Sequence, residues 1–280
     1  MTKTRLLASL VMAPVAVAAI LLLPTPWMIA LATVVLLAGL WEWFDLAEID
    51  DTLARTVLLI AHVGVMVAIV WASRWREGYT LVLFQVAAII GIVWWLLALL
   101  WLARSRFASD HESYARVFKL AAAALAVIPA WCALAWLHGN PEDAHPQRWL
   151  LTALAVVWAA DTGAYFAGRA FGRHKLAPKI SPNKTIEGLI GGLIAGTAAG
   201  VGFSLYAGAT HEQLPKVALV SVAAASFSVI GDLFESLLKR HVGVKDSGRL
   251  IPGHGGVLDR LDGVLAALPV FALGKAVLGF

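Results

Sequence analysis

The chain is short of charge: 14% of its 280 residues are Asp, Glu, Lys or Arg, against about 25% in soluble domains. With 60% hydrophobic residues, that shortage excludes an ordinary water-soluble globule. Cysteine is nearly absent. The lone Cys132 excludes an internal disulfide and a cysteine-ligated zinc site. No GxxxxGK[ST] segment occurs, which disfavours a P-loop ATPase. What the chain has instead is long apolar runs, 24 glycines, 12 tryptophans and a net charge of +4. In a membrane protein that balance reads as Lys and Arg gathered in loops on one side, so no nucleic-acid partner is expected.

Apolar blocks are legible at roughly 6–23, 27–44, 54–73, 80–103, 117–138, 149–168, 186–208, 216–238 and 263–280, most of them near the length a bilayer requires. They predict an all-α, polytopic integral membrane protein with about nine transmembrane helices. The basic start and apolar run at the N-terminus read as the first transmembrane helix rather than a cleaved signal. Pro24-Thr25-Pro26 suits a tight hairpin between the first two spans. With a cytoplasmic N-terminus, all 22 basic residues except Arg74, Arg76, Arg148, Lys216 and Lys275 fall on the cytoplasmic side, which sets the orientation. Within this single membrane domain, residues 1–140 read as scaffold and 141–280 as a catalytic region. Most tryptophans lie near block ends, where interfacial anchors are expected.

Two polar segments interrupt the second half, and this topology puts both on the cytoplasmic face. The first runs from Gly231 to Gly263, "GDLFESLLKRHVGVKDSGRLIPGHGGVLDRLDG". Asp232 lies inside an apolar block, where a carboxylate is costly and usually functional. Glu235 and Ser236 share its helical face, and Glu235 can pair with Lys239 one turn on. Lys239 and Arg240 alone would read as a solvated face, but the run continues through glycines to paired acids. Asp259 and Asp262, three apart, point the same way on a helix. A hard cation such as Mg²⁺ accepts such oxygens and keeps positions open for phosphate; the alternative is acids favouring a helix N-terminus. The glycines of "GHGG" permit close backbone approach to a ligand, or simply a re-entrant turn. His254 among them could titrate, bind phosphate or cap the turn.

The second segment is "DTGAYFAGRAFGRHKLAPKISPNKTIEG", Asp161 to Gly188. Asp161 and Tyr165 share a helical face. Ser181, Asn183, Lys184 and Thr185 precede a helix start, which is a ready anion site; the alternative for Thr185 and Glu187 is capping of that helix. Gly188, Gly192, Gly196 and Gly200 then recur every fourth residue, a stripe for close helix packing. Metal-binding carboxylates, phosphate-holding cations and glycine loops on one membrane face describe phosphoryl or nucleotidyl transfer to a lipid. A transporter of an anionic phosphorylated substrate would use similar residues, but it should show repeat symmetry, and no convincing repeat is visible.

The stretch from Ser236 to Asp262 resembles the signature of the phosphatidate cytidylyltransferases (CDP-diacylglycerol synthases), without an evident departure. The Asp161–Gly188 segment is similar to that family's second block, with Asn183 where a second lysine is common. Residues before about 140 resemble the family only in being apolar spans. The resemblance implies that CTP and phosphatidic acid give CDP-diacylglycerol and pyrophosphate, in an inner-membrane homodimer with its site facing the cytoplasm. It implies Mg²⁺, with K⁺ possible, on Asp232 and Asp259, with Asp262 as the last acid of the motif. The expected catalytic set is Asp232, Lys239, Asp259, Arg260 and Asp262. The expected substrate-binding set is Asp161, Ser181, Lys184, Thr185, Ser236, Arg240, Lys245, Asp246 and His254. The three aspartates of the catalytic set are also the expected metal ligands.

Overall fold

The computed structural model describes residues 2–73, 80–109, 112–248 and 255–280, with side chains from Met12 onward in the first helix. The described residues form α1 (Thr2–Leu22), α2 (Thr25–Leu46), α3 (Thr52–Ser73), α4 (Val82–Ala103), α5 (Ser113–Gly139), α6 (Pro146–Phe171), α7 (Ile186–Ala207), α8 (Leu214–His241) and α9 (Leu258–Leu278). The helices from α2 to α9 are long and apolar enough to cross a membrane. The protein is an all-α polytopic membrane protein, as its apolar blocks predict.

Local chemistry sets the helix boundaries. Pro24 precedes α2 and Pro26 sits in its first turn, where a missing N–H costs nothing. Pro129 and Pro269 lie inside α5 and α9, and neighbouring helices make such breaks tolerable in a membrane. Gly91 of α4 packs where they meet: a methyl there would stand 2.6 Å from Pro129 and 3.2 Å from Pro269. Three helices thus converge on one small residue.

The glycine stripe of α7 works as expected. A Cβ at Gly188, Gly192 or Gly196 would come within 2.9, 2.8 and 2.9 Å of the carbonyls of Ala164, Ala160 and Val156. Successive turns of α7 therefore sit on successive turns of antiparallel α6, backbone against backbone, and only glycine admits that approach.

Contacts between chain-distant residues sort the connections onto two ends. At one end Lys119 pairs with Glu48 at 3.6 Å, His241 Nε2 bonds the Ser105 carbonyl at 2.7 Å, and Arg240 Nε donates to the Ile180 carbonyl at 3.2 Å. At the other, Thr25 meets His138 at 3.1 Å, Lys275 pairs with Asp143 at 2.7 Å, and Lys216 donates to the Leu278 carbonyl at 2.8 Å. Consecutive helices therefore alternate in direction, and both polar segments meet at the first end.

Two features depart from expectation. Lys175–Ala177 (β1) and Ser181–Thr185 (β2) form a small antiparallel hairpin between α6 and α7. No apolar alternation marks it; buried Ile180 at its turn, bonded to Arg240 of α8, holds it down. The tryptophans are also less interfacial than their positions suggest. Trp43, Trp94, Trp95, Trp101, Trp131, Trp136 and Trp149 are buried, and rings of Trp94, Trp95 and Trp101 surround Phe234 of α8 at 5.6, 5.8 and 5.3 Å. Several of these indole N–H groups find a partner inside the bundle: Trp43 donates to the Lys119 carbonyl at 3.0 Å and Trp131 to Thr33 Oγ1 at 2.8 Å.

Candidate active site

The hairpin, the ends of α6 and α8 and the start of α9 enclose a cavity of about 650 Å³. Of the residues singled out in the sequence, Asp161, Ser181, Lys184, Thr185, Asp232, Lys239, Asp259, Arg260 and Asp262 line it. Residues from segments far apart in the chain thus share one site, and the hairpin carries Ser181 and Lys184 to it.

Asp259 is the most firmly fixed of the acids. Its Oδ1 accepts from Lys239 Nζ at 2.6 Å, and its Oδ2 accepts from the amides of Ser247 at 3.1 Å and Gly256 at 2.8 Å. Gly255 has φ +84°, and a side chain there would come within 2.8 Å of Asp259 Oδ2; glycine is required on both counts. Lys239 also bonds Glu235 at 2.8 Å, so one buried ammonium bridges two carboxylates. Buried charges persist when paired in this way.

Asp232 forms a close ion pair with Lys184 of β2, and Ser236 Oγ donates to its other oxygen at 3.4 Å. Asp262 lies within electrostatic range of Asp232, Glu235 and Asp161, and Asp161 within range of Lys184 and Arg260. Asp259 and Asp262 both reach the cavity, but Asp259 turns toward Lys239 and the preceding loop while Asp262 faces the other acids.

Thr185 has the capping role: its Oγ1 accepts from Gly188 N at 3.1 Å. Glu187 Oε2 accepts from the amides of Arg173 and His174 at 3.1 and 3.2 Å, anchoring the hairpin's approach. Ser236, Arg240, Lys245 and Asp246 stand outside the lining. Ser236 acts through Asp232, and Arg240 fixes the hairpin and the Val244 carbonyl. Lys245 and Asp246 are exposed between α8 and α9. His254 lies outside the described residues.

Among the described residues, no three His, Cys, Asp or Glu side chains are arranged to hold a metal ion. Asp232 and Asp259 are instead occupied by lysines. Asp161, Asp232 and Asp262 nevertheless line the same cavity, and carboxylate oxygens are the donors a hard cation takes.

Sequence reasoning passed over Glu42. It sits near the end of α2 and is 2% exposed. Its Oε2 accepts from Ser247 Oγ at 3.1 Å and from Leu258 N at 2.8 Å. Gly248 and Gly256 pack directly on the same carboxylate. Ser247 in turn donates to Asp259, so the first half of the chain holds the signature loop in place. The available signal was the one that singled out Asp232, a carboxylate inside an apolar block. Tyr165, Arg169 and Asn183 also line the cavity.

Comparison with known proteins shows the family. A model of the cytidylyltransferase family matches residues 3–277. A phosphatidate cytidylyltransferase of Haemophilus influenzae is 38% identical over 288 residues, covering 97% of this chain and 98% of its own. One from Pseudomonas aeruginosa is 36% identical over 272 residues, covering 97% and 96%. One from Bacillus subtilis is 44% identical over 131 residues, covering 45% and 47%. The polar cavity at one end of this helical bundle thus belongs to an enzyme, and the chain is a member of the cytidylyltransferase family.

Proposed function

We propose that the enzyme transfers the cytidylyl group of CTP to phosphatidic acid, giving CDP-diacylglycerol and pyrophosphate. The observation that carries this reading is the shared cavity: acids and cations from α6, the hairpin, α8 and α9 line one space at a helix end, where a lipid headgroup and a water-borne nucleotide can meet. The relatives' names supply the substrates.

A phosphate oxygen of phosphatidate attacks the α-phosphorus of CTP in line. The bond from that phosphorus to the bridging oxygen breaks, and pyrophosphate leaves with its electron pair. The lipid phosphate monoester is already largely ionised near neutral pH, so no strong base is needed. Catalysis then rests on position and charge. Lys184, Lys239 and Arg260 line the cavity and supply cations for the triphosphate and the lipid phosphate. Ser181 offers a hydroxyl from the hairpin, and the start of α7 adds positive potential. Asp232, Asp259 and Asp262 would hold Mg²⁺, with K⁺ beside it, once phosphate draws Lys184 and Lys239 away from the first two; such an ion would neutralise phosphate charge and orient the leaving group. The enzyme works as a homodimer in a bacterial inner membrane, with this cavity facing the cytoplasm.

The test is product formation by the purified protein in detergent with labelled CTP, phosphatidic acid and Mg²⁺. CDP-diacylglycerol should appear and should require all three. Wild-type protein that binds CTP but forms no CDP-diacylglycerol would overturn the assignment.

A further inference from the structure

The cavity has an apolar neighbour. A groove of about 270 Å³ lies between α1, α2, α5, α6 and α9. Its walls are almost wholly hydrocarbon, from residues such as Ile20, Leu36, Leu134 and Leu265. Among the described residues, Arg260 is the one charged side chain in its lining, and Arg260 also lines the polar cavity.

Helical spacing explains how one residue borders both. On α9, Asp259 and Asp262 turn to the polar cavity, while Leu261, Val264, Leu265 and Leu268 line the groove. These apolar positions fall three and four apart, one face of a helix, and Arg260 stands at the seam. From Arg260 to Leu268 the helix rises about 12 Å at 1.5 Å per residue. One leaflet's share of a bilayer's hydrocarbon is about 15 Å. Along α9 the groove therefore starts at the level of the reacting groups, and Ile20, Met28 and Leu134 continue it toward the opposite end of the bundle. Its rim is open to the side: Leu31 is 41% and Val35 36% exposed.

We propose that this groove receives one acyl chain of phosphatidate, with the lipid phosphate held at Arg260 on the boundary between the two spaces. The inference rests on the lipid-substrate reading above and adds the place where the lipid lies. The volume, below the roughly 300–1,000 Å³ of pockets that enclose whole drug-sized ligands, leaves room for the upper part of one chain and no second. The second chain stays in the surrounding leaflet. Charge complementarity selects the lipid: a guanidinium at the mouth favours a phosphate monoester over a zwitterionic headgroup.

Two measurements decide it. A phosphatidate carrying a photoreactive diazirine in one acyl chain is irradiated with the purified protein, and adducts are mapped by mass spectrometry. Adducts are expected on groove residues of α2 and α9, with much weaker labelling by the matched phosphatidylcholine. Adducts elsewhere, or equal labelling by both lipids, would show an unselective boundary lipid and overturn the proposal. Separately, Val35→Trp and Leu31→Trp fill the groove from its exposed rim, where folding is least disturbed, and each is checked by thermal unfolding. The KM for a long-chain phosphatidate should rise about tenfold or more, the scale of a changed apolar contact. The KM for CTP and turnover of dihexanoyl phosphatidate should stay unchanged. Equal effects on long- and short-chain substrates would refute the groove as a chain site. Should wild-type protein turn over neither lipid, the enzymatic reading fails, and the photolabelling still decides the groove by itself.

Discussion

The two ends of the bundle hold cavities of similar size, about 650 Å³ at the candidate site and about 610 Å³ opposite. Their charges are arranged differently. At the opposite end Lys275 pairs with Asp143 at 2.7 Å and lies over the Trp149 ring at 4.8 Å, while Asn140 donates to the same aspartate at 2.9 Å. Glu142 also lines that cavity, but Lys275 and Asp143 form a pair that no further charged side chain shares among the described residues. At the site end Lys239 is shared between Glu235 and Asp259, Lys184 pairs with Asp232, and Asp161 and Asp262 sit within range of other acids. Shared partners can be re-divided when a phosphate arrives; an exclusive pair cannot. Charge connectivity, not volume, separates the candidate site from the opposite end.

The sharpest way to test that contrast is to remove one aspartate from each end. Asp259→Ala should lower kcat/KM by about 10²- to 10³-fold, the scale of losing one preorganised electrostatic contact. Asp143→Ala should leave turnover per folded molecule nearly unchanged while lowering the unfolding temperature, because Lys275 loses its partner. Equal kinetic losses in CDP-diacylglycerol formation would erase the distinction between the ends.

Lys239→Met comes next. It leaves Glu235 and Asp259 without their shared cation, and breaking a buried pair this way costs about 3–5 kcal/mol. Thermal unfolding in detergent should show the loss, and Lys239→Arg should restore part of it. A smaller effect is expected at Glu42. Glu42→Ala leaves Leu258 N without its acceptor, a cost of about 1–3 kcal/mol for a buried group left unpaired, while Ser247 Oγ still accepts from Asp259 N. It should lower kcat more than it raises KM for CTP. Glu42→Gln keeps an acceptor oxygen and should recover most of the rate. The smallest effect belongs to Thr185→Ala, which removes the α7 cap for about 1 kcal/mol and should shift unfolding slightly with turnover retained. A large loss of turnover there would instead make Thr185 a direct substrate contact.

The membrane scaffold was legible because each span needs a long apolar run, and one-dimensional composition records that directly. The boundaries of α3 and α7 follow their apolar blocks within a few residues. α9 begins earlier than its block, at Leu258, because the acids that end the apolar run still continue the helix. The site's membership was legible where a carboxylate or a basic run interrupted apolar sequence. What stayed hidden depended on distant pairing. Glu42 meets Ser247 across 205 positions, and nothing local to "WEWFDL" announces that partner. The hairpin was hidden because its strands are polar and short. The tryptophans misled because proximity to a block end does not say which side of the helix faces the bundle.

Arg260 borders both the polar cavity and the apolar groove, and that position constrains traffic. A reaction joining a water-borne nucleotide to a membrane-borne lipid yields one product for each medium. Pyrophosphate can leave by the opening that admitted CTP, and the lipid nucleotide can slide sideways into the leaflet it came from. Neither departure requires the bundle to open through to the far end, where the closed Lys275–Asp143 pair can remain in place through every turnover.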